Sequence, residues 1–142
     1  MLVTAGGKKI APQPLEAGLK ACKWVSEAIL LGDQHPYVVA LLVPNFANLE
    51  TEARSRGWAF IAPRDLLGQP AVRALYQAEI DRVNARLAPF EQIKNFALLD
   101  RELSQEAGEL TPTLKVRRRI ITERFSSIIR DLYARPSGER AG

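Results

Sequence analysis

The 142-residue sequence predicts a small α+β domain: a mostly antiparallel sheet, opened by an N-terminal hairpin and packed by helices. Three observations predict it. The short β-prone runs "LVTA" and "KKIA" flank Gly6-Gly7, a pair suited to the backbone angles of a tight turn. The runs "VSEAILLGD" and "YVVALLVP" are apolar and β-branched on either side of "DQHP", as expected of an antiparallel pair buried on at least one face. Two later stretches carry apolar residues at helical spacing.

Taken in order, the hairpin is followed by "PQPLEAGLKAC", where Pro14 lies near a helix start and Leu15, Leu19 and Cys22 share a face. After the strand pair, "NFANLETEARSRG" starts at the capping residue Asn45 and stops at Gly57. "PAVRALYQAEIDRVNARL" repeats Val72, Leu75, Tyr76, Ile80, Val83 and Leu87 at amphipathic helical spacing, and Pro89 closes it. "IKNFALLD" is a further strand, and residues 100 to 109 form an acidic, polar loop. A last helix is expected from about Leu114, with Thr113 as N-cap and Val116, Ile120, Ile121, Phe125, Ile128, Ile129 and Leu132 on its inner face. Residues 1–134 form one domain on this reading, and 135–142 a flexible tail.

Composition excludes several classes. Hydrophobic residues make up 46% and charged residues 25%, the balance of a globular domain rather than a disordered chain. Cys22 is the single cysteine and cannot form an internal disulfide, so a reducing compartment is the default and a buried small hydrophobe its expected role. No apolar run approaches the roughly 20 residues that cross a bilayer, and the N-terminus lacks the pattern of a signal peptide. The single histidine, His35, sits in a turn, so neither a histidine-based metal site nor a Ser-His-Asp triad can be assembled, and no metal ligands are assigned.

Charge is concentrated. The formal charge is +4, yet residues 115 to 130 hold six cations against the single anion Glu123, leaving the remainder at −1. The stretch "GELTPTLKVRRR" packs Lys115, Arg117, Arg118 and Arg119 into five residues. Placed in a helix's first turn, Lys115 would stand beside free backbone N–H groups and the positive end of the dipole, an arrangement that suits phosphate or carboxylate. A solvated helix face, a small-molecule anion site and a nucleic-acid patch all remain open on these residues alone. No aromatic residue is interleaved with the cations, which counts against nucleic acid. Both ends of the chain present glycine with lysine, and neither supplies a general base; the pattern is that of half an active site.

"LVTAGGKKIAPQPLE" and "GELTPTLKVRRRIITERF" resemble two motifs of the adenylate-forming acyl-CoA synthetases, in particular the AMP-forming long-chain fatty acid–CoA ligases. The first is similar to the segment that opens their mobile C-terminal domain, the second to the segment with their catalytic lysine. "VSEAILLGDQHPYVVALLV" between them is similar to the family's central strand pair. The resemblance spans nearly the whole chain and only the C-terminal domain. It therefore implies a separate N-terminal adenylation domain as partner, carrying the ATP-phosphate loop and the acyl tunnel, and a hinge upstream of Met1.

The implied chemistry has two steps: fatty acid and Mg-ATP give acyl-adenylate and pyrophosphate, then coenzyme A gives acyl-CoA and AMP. The implied cofactors are ATP/AMP, Mg2+ and coenzyme A, none held tightly by this chain alone. Lys115 is the implied catalytic residue of the first step. Gly6, Gly7 and Lys8 would line the passage for the pantetheine arm in the second, and Arg117 and Arg118 would meet coenzyme A phosphates. A cytoplasmic enzyme of lipid metabolism, with an option of peripheral association at the inner membrane surface and no nucleic-acid partner, completes the implied picture; a stand-alone basic module for anions or nucleic acid is the alternative. Two departures stand out: Lys9 occupies a usual asparagine position, and Leu114 precedes the lysine where the wider superfamily often has glycine.

Overall fold

In the computed structural model, which describes residues 1–134, the first hairpin forms where the glycines allow it. β1 (Leu2–Val3) pairs with β2 (Lys9–Ile10), Leu2 opposite Ile10 and Val3 opposite Lys9. Gly7 turns the chain at φ 84, a conformation in which a side chain is strained. The expected tail at 135–142 lies outside the described residues.

α1 (Pro12–Lys20) opens on a proline in its first turn, two residues earlier than Pro14, and buries Leu15 and Leu19. β3 (Val25–Leu31) and β4 (Val38–Pro44) then form the expected antiparallel pair, Ala28 opposite Leu42 and Leu30 opposite Ala40. Every residue of β4 is buried because it is the middle strand and is covered on both faces. Val38, Ala40 and Leu42 meet one core with Leu19, Leu49, Tyr76, Ile80 and Phe96. Val39, Leu41 and Val43 meet a second core with Leu99, Ile121, Ile129 and Leu132. Alternation along one strand thus divides the apolar residues between two helical layers.

The first layer is α1, α2 (Phe46–Arg56) and α3 (Pro70–Asn84). Asn45 caps α2 by accepting from Asn48 N–H at 3.1 Å, and Gly57 ends it at φ 76, as the sequence predicts. α3 stops at Asn84, before the expected Leu87; Asn84 accepts from Ile93 N–H and donates to Ile93 C=O, which binds the start of the next strand instead of extending the helix. β5 (Ile93–Leu98) joins β4 in parallel, Leu41 opposite Ala97, while the other two pairings are antiparallel. Two helices separate β4 from β5, enough chain for the crossover that a parallel pair requires. Cys22 is buried in the first core, and burial raises its thiol pKa, in keeping with a packing role.

The second layer corrects the expectation of one long terminal helix. There are two: α4 (Arg118–Arg124) and α5 (Ser126–Ala134), with Phe125 between them at φ −106, ψ 24. The apolar spacing runs unbroken through both, so the bend leaves the inner face intact. His35 stacks on Tyr133 of α5, ring centroids 4.1 Å apart, and so ties the β3–β4 turn to this layer.

Candidate functional site

Lys115 does not sit in a helix. Helix α4 begins at Arg118 with Arg117 as its N-cap, and residues 109 to 117 form a hairpin. Thr111 C=O accepts from Leu114 N–H at 2.8 Å, closing a turn over Pro112 and Thr113, and Thr111 N–H donates to Lys115 C=O at 2.8 Å. Leu110 bridges Val116, and Arg117 N–H donates to Glu109 C=O at 2.8 Å. Leu114 closes the loop at φ 63, the left-handed position of a three-residue hairpin turn. Proline favours the turn's second position, which is why "TPT" makes a turn here and Thr113 is no helix cap. The same left-handed angle explains why glycine would be at ease at position 114.

The hairpin holds Lys115 exposed above a cleft of about 390 Å3, lined also by Gln13, Glu16 and Lys20 of α1 and by Glu27 and Ala28 of β3. Thr111 Oγ1 accepts from Lys115 N–H at 3.0 Å, which fixes the main chain and leaves the ammonium projecting. Lys20, beside it, is paired with Glu27 at 3.2 Å.

Glu109 anchors the hairpin's base, a role the sequence reading missed by placing it in a polar loop. Its side chain is fully buried. Arg101 grips the carboxylate with two bonds of 2.8 and 2.6 Å, Ser104 N–H donates at 3.1 Å, and Arg124 of α4 lies 3.3 Å away. The two bonds from Arg101 are the main reason that the Glu109 pKa is lowered; Ser104 N–H and Arg124 add to them, and burial opposes them. A lowered folded pKa means stability that is present above the unfolded value and lost as pH falls through the folded one. Thermal midpoints measured from neutral pH down through the acid range should therefore fall more steeply for the native chain than for Glu109→Gln; parallel curves would contradict the assignment.

The arginines are not equivalent. Arg118 donates to Leu30 C=O and pairs with Glu16 at 3.0 Å, while Glu16 also accepts from Leu30 N–H at 2.8 Å. Leu30 lies on β3, an edge strand, so this pair satisfies outward backbone groups that would otherwise invite another strand. Arg119 is exposed and pairs with Glu123 at 3.4 Å, a surface contact of little energy. Arg117 is exposed at the cap position.

Gly6, Gly7 and Lys8 sit together on the β1–β2 turn, all exposed. Thr4 holds that turn from beneath: its N–H donates to Lys8 C=O at 2.9 Å and its Oγ1 accepts from Lys8 N–H at 3.1 Å. A Cβ at Gly6 or Gly7 would meet nothing within 4 Å, so the turn presents bare backbone to solvent. Lys8 Nζ lies over the Phe90 ring, 5.4 Å from its centroid. The turn is tied to the β3–β4 turn by Ala5 N–H to His35 C=O and Gln34 N–H to Val3 C=O, and none of its residues lines the Lys115 cleft. The glycine turn and the Lys115 cleft are thus separate surfaces of one domain, although the end of the first motif, Gln13 and Glu16, lines the cleft and Glu16 pairs with Arg118 of the second.

An α+β domain that carries an exposed lysine on an anchored hairpin and bare glycine on a separate turn fits the small domain of adenylate-forming enzymes. Residues 1–137 match the family model described as AMP-binding enzyme C-terminal domain, and the chain belongs to that family. It is 34% identical over 134 residues to a long-chain fatty acid–CoA ligase of Mycobacterium tuberculosis, covering 94% of this chain and 22% of that protein. A human long-chain fatty acid–CoA ligase is 30% identical over 152 residues, with coverages of 94% and 21%. The chain therefore spans about a fifth of the length of the curated relatives it matches. Among solved structures, the adenylation domain of a carboxylate reductase from Mycobacterium chelonae superposes with a TM-score of 0.73 at 25% identity, covering 94% of this chain and 19% of that one.

Proposed function

We propose that this domain is the mobile catalytic lid of an AMP-forming long-chain fatty acid–CoA ligase, residues 1–134 forming the lid. The observation that carries the reading is the exposed Lys115 ammonium on a hairpin with a buried ionic anchor, in a chain of the AMP-binding C-terminal family. The relatives named as long-chain fatty acid–CoA ligases supply the substrate class.

In the first step a carboxylate oxygen attacks the α-phosphorus of ATP, the bond to the bridging oxygen breaks, and pyrophosphate leaves. Two anions approach, and charge gathers on the phosphoryl oxygens. A preorganised ammonium offsets both, which is Lys115's role. In the second step the coenzyme A sulfur attacks the acyl carbon, the C–O bond to AMP breaks, and the thiol proton passes to solvent. The backbone at Gly6 and Gly7 borders the pantetheine arm in that step, with Lys8 beside it. Because the glycine turn does not line the Lys115 cleft, the domain presents the two in turn by changing its orientation against the ATP- and acyl-binding partner domain. Arg117 and Arg119 are exposed for coenzyme A phosphates, whereas Arg118 would first have to leave Glu16 and Leu30. The Mg2+ that accompanies ATP finds no cluster of three or more acidic, histidine or cysteine ligands among the described residues, and no step is assigned to it.

The 142-residue chain alone should release no AMP from palmitate, Mg-ATP and coenzyme A, while the full-length protein carrying this domain should do so in a fatty-acid-dependent way. Turnover by the chain alone, or a full-length protein without fatty-acid-dependent pyrophosphate release, would sink the reading.

A further inference from the structure

We propose that Glu109 is a positioning residue for the adenylation step, acting through Lys115 and not on substrate; this rests on the role of Lys115 proposed above. Lys115 stands on a stem of three residue pairs, Glu109 with Arg117, Leu110 with Val116 and Thr111 with Lys115. Isolated two-stranded hairpins are marginal in water. Its loop closes on Leu114, 62% exposed and in a left-handed conformation that leucine rarely adopts, so the tip adds little rigidity of its own. Rigidity has to enter at the base.

Glu109 supplies it from both flanks. Its carboxylate receives Arg101 and Ser104 N–H from the preceding loop and Arg124 from α4, the helix that follows the hairpin. Arg124 also donates to Ala107 C=O at 3.0 Å, and the Arg101 guanidinium lies 5.3 Å from the Phe125 ring centroid, at the bend between α4 and α5. The chain entering the hairpin and the chain leaving it are thereby clamped to one buried anion. Charge-assisted bonds of this kind are the stronger and more directional ones. Stability alone is a poor reason for a buried carboxylate, since apolar residues of similar volume often serve as well. What it fixes here is the geometry of an exposed cation, and displacements near 1 Å are enough to cost rate.

Glutamine keeps the shape of Glu109 but turns one acceptor into an NH2 group facing donors. In the full-length enzyme, Glu109→Gln should lower fatty-acid-dependent pyrophosphate release about tenfold, the scale of one charge-assisted hydrogen bond. Thioester formation from supplied acyl-adenylate should be unchanged. Arg101→Lys, which keeps the charge and loses the two-pronged grip, should show the same step-specific loss and serves if the glutamine variant folds poorly. The deciding measurement is made in the Lys115→Ala background, where Glu109→Gln should cause no further loss of adenylation. A further tenfold loss there, equal loss in both steps, or unchanged adenylation in the single variants would overturn the inference. If Lys115→Ala itself left adenylation intact, the fault would lie with the proposed role of Lys115.

Discussion

Replacing Lys115 by alanine in the full-length enzyme is expected to cut acyl-adenylate formation by on the order of a hundredfold or more, the usual scale for deleting one preorganised electrostatic contact. The side chain is exposed, and its backbone bonds to Thr111 survive the change. Stability should accordingly move by no more than about 0.5 kcal/mol. Coenzyme A attack on supplied acyl-adenylate should be spared, because the lysine and the glycine turn lie on separate surfaces. Arg118→Ala is the instructive comparison. It removes the same charge three residues away, but from a guanidinium already engaged with Glu16 and Leu30. That variant should lose some stability, as the β3 edge loses its cover, and far less adenylation. Equal loss of adenylation in the two variants, measured by fatty-acid-dependent pyrophosphate release, would mean a diffuse basic patch in which Lys115 has no special place.

That contrast between neighbouring cations could not be drawn from the sequence. The strands were legible because their evidence is local: the seven-residue apolar run of β4 and the run Ala28 to Leu31 in β3 have room for little else, and Gly6-Gly7 calls for a turn. Asn45 and Gly57 marked the ends of α2 for the same reason. The hairpin was not legible, because Val116 and Ile120 fit a helical period and Thr113 is a good capping type. What decides against a helix is the bond from Arg117 N–H to Glu109 C=O, together with the clamp on Glu109, and a periodicity window contains neither. The commitment of Arg118 is more remote still, its partners lying 88 and 102 residues away along the chain. The position of Lys115 within its motif was readable; the local structure presenting it was not.

Separating the domain's two faces calls for a change at the other motif. Gly7→Leu in the full-length enzyme should slow thioester formation from supplied acyl-adenylate by on the order of a hundredfold, the loss that follows from misplacing reacting groups by about 1 Å. Adenylate formation should be largely intact. Space within the domain is not the obstacle, since a Cβ at Gly7 meets nothing within 4 Å. The residue's φ of 84 is an obstacle, and a leucine there costs about 1–2 kcal/mol of backbone strain. A rate loss at this position therefore has two candidate causes, strain in the domain and obstruction of the thiol arm, and a matched control tells them apart. Gly57, the C-cap of α2, has φ 76 and likewise nothing within 4 Å of a built Cβ. Gly57→Leu should bring comparable strain and a comparable drop in thermal midpoint, yet leave both chemical steps near their native rates. If Gly57→Leu slowed thioester formation as much as Gly7→Leu, strain alone would account for the effect. If Gly7→Leu reduced both steps alike, the turn would have no particular place in the second one. Selective loss at Gly7 alone would place bare backbone beside the incoming thiol, the use for which a glycine pair at an exposed, buttressed turn is suited.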